Sequence, residues 1–140
     1  MDKIITKNDM GRAICEMSYD AGENWIYAKW EGFANLDAIK SWGESYINML
    51  DETKCPYFLN DDSKSTGPWT NALEWIQSYL IPNAIEGGVR YYAHVVSESA
   101  FAALSAQELN SRIADILEIG SFNNIEDAKK WLKEMQEKDV

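Results

Sequence analysis

The chain has 140 residues, 46% hydrophobic and 26% charged, and a net charge of −10 from 23 acidic against 13 basic residues. That length and balance suit one compact domain with a real core. The negative charge repels phosphate backbones and anionic lipids, which argues against nucleic-acid and membrane-surface partners.

No apolar run approaches the roughly 20 residues of a membrane span. Met1-Asp2-Lys3-Ile4-Ile5-Thr6 carries no apolar h-region, so no signal peptide is expected. Cys15 and Cys55 lack metal-ligand spacing and lie in or beside strand-like segments, which favours buried reduced thiols over a disulfide. A cytoplasmic protein follows as the expectation.

Ile4-Ile5 suits a sheet edge, and Asn8 to Gly11 reads as a turn. Ala13 to Tyr19 alternates as a half-buried strand. Asp20 to Asn24 reads as a hairpin loop leading to a partner strand, Trp25 to Glu31. On that strand Trp25, Tyr27, Lys29 and Glu31 share one face, and Ile26, Ala28 and Trp30 the other.

Asn35 caps a helix whose apolar stripe is Leu36, Ile39, Trp42, Tyr46, Ile47 and Leu50. Gly43 weakens that helix, so packing must hold it. Pro56 to Asn60 is a short strand, and Asp61 to Gly67 reads as a polar loop between strand and helix. Pro68 opens the second helix, with Trp69, Ala72, Leu73, Ile76 and Leu80 as its stripe and Pro82 as its stop.

Gly87-Gly88 precedes the run Tyr91 to Val96, apolar or aromatic at nearly every position. It reads as a central strand buried on both faces. Ser97 to Leu104 and Ala106 to Ile113 read as helical segments joined at Ser105, and Ile116 to Phe122 as the last strand. Asn123/Asn124 caps a final helix with Ile125, Ala128, Trp131, Leu132 and Met135 inward, and a charged tail, Lys133 to Val140, that frays. The expected architecture is a single α/β domain over 1–140, with a mixed, mainly parallel five-stranded sheet and about four helices.

Four groups of residues stand out together: Trp30-Glu31-Gly32; Pro82 with Gly88-Val89-Arg90 and Ala93-His94-Val95-Val96; Phe101 with Leu104 to Gln107; and Phe122 with Ala128 and Trp131-Leu132. With their order and spacing they resemble the STAS/SpoIIAA-like domains and the related bacterial STAS/SEC14-like group. The likeness covers residues 24–133 and lies in fold-bearing positions, so it speaks to architecture before activity. It implies one known switch, a phosphorylated Ser at the start of the second helix. Here the matching place reads Lys64-Ser65-Thr66-Gly67, with a Lys where the family has an acidic residue. Ser65 and Thr66 are the candidate phosphosites, against the plainer reading that they cap the helix. The resemblance also implies carriage of nonpolar molecules.

Little in the sequence points to catalysis. His94 has no second His or Cys at ligand spacing and reads as a core histidine. Neither a catalytic triad nor a nucleophile elbow is present. Asp61 and Asp62 read as solvated loop acids rather than a metal site. No cofactor and no metal is expected. The aromatic set Trp42, Tyr46, Trp69, Trp75, Tyr79, Tyr91 and Tyr92 is too large for one side of the core, so part of it is expected to line an apolar pocket or a partner-facing patch. The sequence therefore leads to a non-enzymatic module, monomeric or weakly dimeric, that binds a small apolar ligand or a protein partner through Trp42, Tyr46, Asp62, Ser65, Thr66 and Trp69. The alternative is a STAS-type regulator switched at Ser65 or Thr66.

Overall fold

A computed structural model describes residues 3–139. Strands β1 (Ile4–Lys7), β2 (Ala13–Asp20), β3 (Trp25–Gly32), β4 (Tyr57–Ser65), β5 (Tyr91–Val95) and β6 (Glu118–Phe122) form one sheet in sequence order. β1, β2 and β3 pair antiparallel, and β3 through β6 pair parallel. The helices are α1 (Leu36–Thr53), α2 (residues 70–86), α3 (Ala100–Ile113) and α4 (Ile125–Lys138). The mixed α/β domain matches expectation, with the Ile4–Lys7 edge pairing adding a sixth strand.

Each parallel connection steps one strand along the sheet. Right-handed crossovers in one direction put their helices on one face, and α1, α2 and α3 share that side. Ile26, Ala28 and Trp30 point toward them, in register with Phe58 and Asn60 of β4 and then with Tyr92 and His94 of β5. α4 follows the last strand and covers the opposite face, against Tyr91 and Phe122.

α1 starts where Asn35 Oδ1 accepts from the Ala38 N–H at 2.9 Å and ends at Lys54, in the left-handed conformation with φ 54°. Gly43 explains itself by contact. A Cβ there would stand 2.6 Å from the Trp75 ring, so α1 and α2 approach closely only because the position is bare. α2 begins as a 3₁₀ turn (Thr70–Ala72), becomes α-helical (Leu73–Trp75), widens to a π turn (Ile76–Leu80) and finishes as α (Ile81–Glu86).

Four expectations need correction. The Asp61–Gly67 segment is not a polar loop, because β4 runs on to Ser65 with Asn60, Asp61, Asp62 and Ser65 buried. Low strand propensity is overridden by pairing on both edges, Lys29 with Asp61 on one side and Asn60 with His94 on the other. Pro82 does not stop α2. A π turn lies immediately before it, the Ile81 N–H reaching back to the Ile76 carbonyl. The wider turn spares the proline ring its clash with the preceding turn, and Asn83 Nδ2 donates to the Tyr79 carbonyl at 2.8 Å. The helix ends at Gly87-Gly88 instead, where Gly88 takes φ 116°.

Ser105 does not divide α3, which is continuous. Its side chain is fully buried and accepts from the Trp69 N–H at 3.1 Å. The C-terminal tail does not fray from Lys133; α4 continues to Lys138, while Val140 lies outside the described residues. Gln136 donates to the Glu23 carbonyl at 2.9 Å, and Lys133 pairs with Glu23 at 2.7 Å. The Asp139 carboxylate accepts from Tyr57 OH at 2.6 Å and from Tyr91 OH at 2.8 Å, with Arg90 alongside at 3.5 Å.

β5 is buried at all five positions between β4 and β6. Its amides should exchange slowest with solvent, near the global unfolding limit. Fast exchange at Ala93 or His94 in a native-state hydrogen-exchange experiment would overturn this topology.

Asp139 gives a pH dependence. The hydrogen bonds from Tyr57 and Tyr91, then Arg90, hold its carboxyl below the usual range. A depressed folded-state pKa adds stability above the unfolded-chain pKa, lost as pH falls through the folded value. Asp139→Asn should therefore lower stability at pH 7 and flatten its decline below about pH 4, where free carboxyls protonate. Urea melts across that range check it; parallel pH profiles for the two proteins would count against the clamp.

Candidate functional site

A cavity opens between the sheet and the layer of α1, α2 and α3. About 90 Å³ of it is open to the centres of water-sized spheres. One water needs on the order of 10–15 Å³ by that measure, so the space suits several waters or one small ring compound. Gly32, Ala34, Thr66 and Trp69, the part-exposed or exposed members of the lining, mark its mouth. They lie at and just beyond the C-terminal ends of β3 and β4, where open α/β sheets receive ligands.

One wall is an aromatic stack. Trp30 meets Trp42 edge-on at 5.0 Å between centroids, Trp42 lies parallel to Tyr46 at 5.5 Å, and Tyr46 stacks on Phe58 at 4.5 Å. Phe58 continues to Tyr92 at 5.5 Å, and Tyr92 to His94 at 5.4 Å. Ile76, Leu80 and Ile81 of α2 close the facing wall. A straight α-helix aligns positions four apart; the π turn adds Ile81 to the face that already carries Ile76 and Leu80.

The polar groups form two chains. In the first, the Trp30 Nε1–H donates to Asn60 Oδ1 at 2.8 Å, and Asn60 Nδ2 donates to Tyr92 OH at 3.0 Å. An indole N–H only donates, so it fixes the Asn60 amide, and Tyr92 oxygen must accept. In the second, Asp62 accepts from His94 Nε2 at 2.6 Å and from Ser65 Oγ at 3.1 Å. Ser97 Oγ in turn donates to the Ser65 carbonyl at 2.6 Å.

Burial pushes the Tyr46 phenol well up. Burial and then the Asp62 charge do the same for Tyr92, so both phenols keep their protons. The Cys15 thiol is pushed up by burial, then by Asp62 and Glu16, and stays a thiol. Cys15 and Cys55 are both free and buried.

Three polar atoms around this wall meet no partner among the described residues: Trp42 Nε1, Tyr46 OH and His94 Nδ1.

The structure brings Trp42, Tyr46, Asp62, Ser65, Thr66 and Trp69 to this one cavity. Tyr92 of the same aromatic set lines it too, whereas Trp75, Tyr79 and Tyr91 are placed apart. Tyr91 faces α4, and Trp75 and Tyr79 stack on each other at 5.2 Å along α2. Ser65 and Thr66 do not open a helix: Ser65 is the last residue of β4, and Thr66 to Trp69 intervene before the 3₁₀ turn at Thr70. The Ser65 side chain is turned inward, whereas Thr66 is exposed.

Asp61 and Asp62 are not a pair of loop acids, since successive strand residues point to opposite faces. Asp61 Oδ1 accepts from the Ser63 N–H at 2.9 Å, away from the cavity. Among the described residues no three His, Cys, Asp or Glu side chains gather as a metal site.

The reading from sequence missed Trp30, Phe58 and Asn60 as wall and floor, held Tyr92 only as one of the wider aromatic set, and missed the tie from His94 to Asp62. Their shared parity on β3, β4 and β5 was the available signal. Comparison with protein-family models and with curated proteins gives no match.

The unpartnered Tyr46 hydroxyl leads to a stability prediction. A buried unpaired polar group costs about 1–3 kcal/mol, and removing it leaves the ring in place. Tyr46→Phe should keep or raise stability by up to that amount. A loss above about 1 kcal/mol in a denaturant melt would mean that the hydroxyl has a structural partner.

Proposed function

We propose that this protein is a non-enzymatic binding module that holds a compact apolar molecule in the cavity beneath Trp42, Tyr46 and Trp69. One observation carries the reading: an aromatic and aliphatic chamber opens at the C-terminal ends of parallel strands, with few polar groups at its floor. The polar chemistry supports binding over catalysis. The Ser65 hydroxyl donates to Asp62 rather than to the His94 ring, so the serine–imidazole pairing of a nucleophile is not formed. Both thiols are held protonated by burial. The STAS/SpoIIAA-like resemblance, with its carriage of nonpolar molecules, agrees with this reading, and the free thiols of Cys15 and Cys55 suit a cytoplasmic setting. The sequential strand order and the helix layer over β3 to β6 support that kinship. Among the described residues no helix is long and apolar enough to cross a membrane.

A second reading has a protein partner at the same end. Phe33 is 50% exposed and Phe101 and Leu104 are 67% and 62% exposed. Phe33 lies against Gly67, and α3, which carries Phe101 and Leu104, is tied to Trp69 through Ser105. In the phosphorylation form of this reading, Thr66 is the hydroxyl a kinase meets, and Thr66→Glu would alter partner capture.

Trp30, Trp42 and Trp69 line the cavity and report on it. Titration with indane should change their fluorescence saturably, and native mass spectrometry should show one bound molecule. Ala84→Leu, which fills space at the cavity wall, should abolish the response while leaving the fold intact by circular dichroism. An unchanged titration in the filled variant would remove the cavity as the binding site.

A further inference from the structure

The cavity carries one charge and no counter-charge. Among its described lining residues Asp62 alone bears a charged side chain, with no Lys or Arg beside it. Trp42 Nε1 and Tyr46 OH are sealed from solvent, but the Asp62 side chain keeps 12% of its surface open. Its two protein contacts leave the charge in place. Ser65 Oγ, a neutral donor, gives one O–H to Oδ1 at 3.1 Å. His94 gives its Nε2–H to Oδ2 at 2.6 Å. The other ring nitrogen, Nδ1, has no partner among the described residues, so a second ring proton would be buried without an acceptor. The ring therefore donates as a neutral imidazole. A carboxylate offers about four acceptor positions, and these two bonds leave the others free. A largely buried anion with free lone pairs thus borders an aromatic chamber. A charge withdrawn from water is costly unless an opposite charge meets it.

Resting on the binding reading above, we propose that the natural ligand is a small amine, a compact apolar body bearing one protonated amino group that donates to the Asp62 carboxylate. The rings of Trp42, Tyr46 and Phe58 and the aliphatic wall of α2 receive the apolar body. The ammonium is a compact charge with three donors, so it bonds Asp62 without displacing His94 or Ser65. The net charge of −10 draws cations toward the mouth and turns anions away. Inside, an anion would meet Asp62 at short range. A hydrocarbon would fill the space but leave the carboxylate unmatched, and a neutral alcohol would bond it without answering its charge.

Four probes of one ring size separate these cases: indane, 2-indanol, 2-aminoindane and indane-2-carboxylate, each titrated into the full chain at pH 7 by tryptophan fluorescence and calorimetry. The amine should bind about tenfold tighter than indane or the alcohol, and the carboxylate more weakly than either. Asp62→Asn keeps the shape, with its oxygen accepting from His94 and its amide donating to Ser65 Oγ. That variant should bring the amine down to the affinity of indane while indane itself is unmoved. Ala84→Leu should abolish amine binding, which separates the chamber from the acidic surface at large. His94 is the one histidine of the chain, so its ring NMR signals report on Asp62 without any variant. The Nε2 proton resonance should move on adding 2-aminoindane and much less on adding indane. Equal binding of indane and the amine, an amine preference indifferent to Asp62→Asn, or an unmoved His94 signal overturns the inference while the binding reading stands. So does tightest binding by the alcohol or the carboxylate, or an imidazolium signature for His94 in the free protein. Failure of all four probes removes both.

Discussion

The structure depends on a strand that is polar where a central strand is ordinarily apolar. β4 lies between β3 and β5, and from Asn60 onward it buries an amide, two carboxylates and a hydroxyl. Each is answered from elsewhere in the fold or the strand itself. Trp30 and Tyr92 take the two ends of the Asn60 amide, His94 and Ser65 take Asp62, and Asp61 turns to the other face to accept from the Ser63 amide. A register slip of one residue would send every one of these groups to the wrong side of the sheet. The same bonds that fix the register therefore lay the floor of the cavity. Removing one partner leaves a buried polar group behind, which is costlier than never having built the pair.

This is also why the sequence was legible in some places and not in others. β2 and β3 show themselves by local alternation, and the caps at Asn35 and Asn124 by residue type, because the physics involved spans a few residues. Asp62 reads as loop, and Asn60 as a strand end with no special role, because their partners lie 32 and 30 residues away in the chain. Pro82 and Ser105 read locally as punctuation. A π turn accommodates the first, and burial against the Trp69 amide employs the second as a tie between α3 and the start of α2. The six residues chosen for a ligand site converge because two rules agree: α1 presents Trp42 and Tyr46 on one face, and the segment after β4 lies at the carboxyl end of the sheet. The floor was missed because no local pattern announces which face of β4 looks toward α1.

The two faces of the sheet do different work. On one side α4 closes tightly. Lys133 lies over Trp25 at 5.1 Å, Trp131 meets Tyr91 edge-on at 6.3 Å, and Asp139 gathers two tyrosines. The polar groups named on that side have mates. On the other side three buried polar atoms have no partner among the described residues: Trp42 Nε1, Tyr46 OH and His94 Nδ1. Buried orphan groups are rare in folded proteins, and their concentration along one wall is more informative than any one of them.

The open space also needs a reason not to close. A void lined by flexible aliphatic side chains shrinks by rotamer change, whereas flat rings locked edge to face and face to face have fewer ways to move. Here the rings are held from both ends. Trp30, Phe58 and Tyr92 stand on three neighbouring strands whose register is pinned by the polar bonds. Trp42 and Tyr46 stand on a helix that cannot roll inward freely, because Gly43, on the same helix, is already in contact with the Trp75 ring of α2. α2 in turn is held off by its π turn and by Pro82, which fix where Ile76, Leu80 and Ile81 sit. Filling the chamber by collapse would require breaking stacked pairs or shifting a strand, and closer packing would not offset either loss. A chamber kept open by its own scaffold is a consequence of how the strands, α1 and α2 brace one another, and the proposed binding role rests on it.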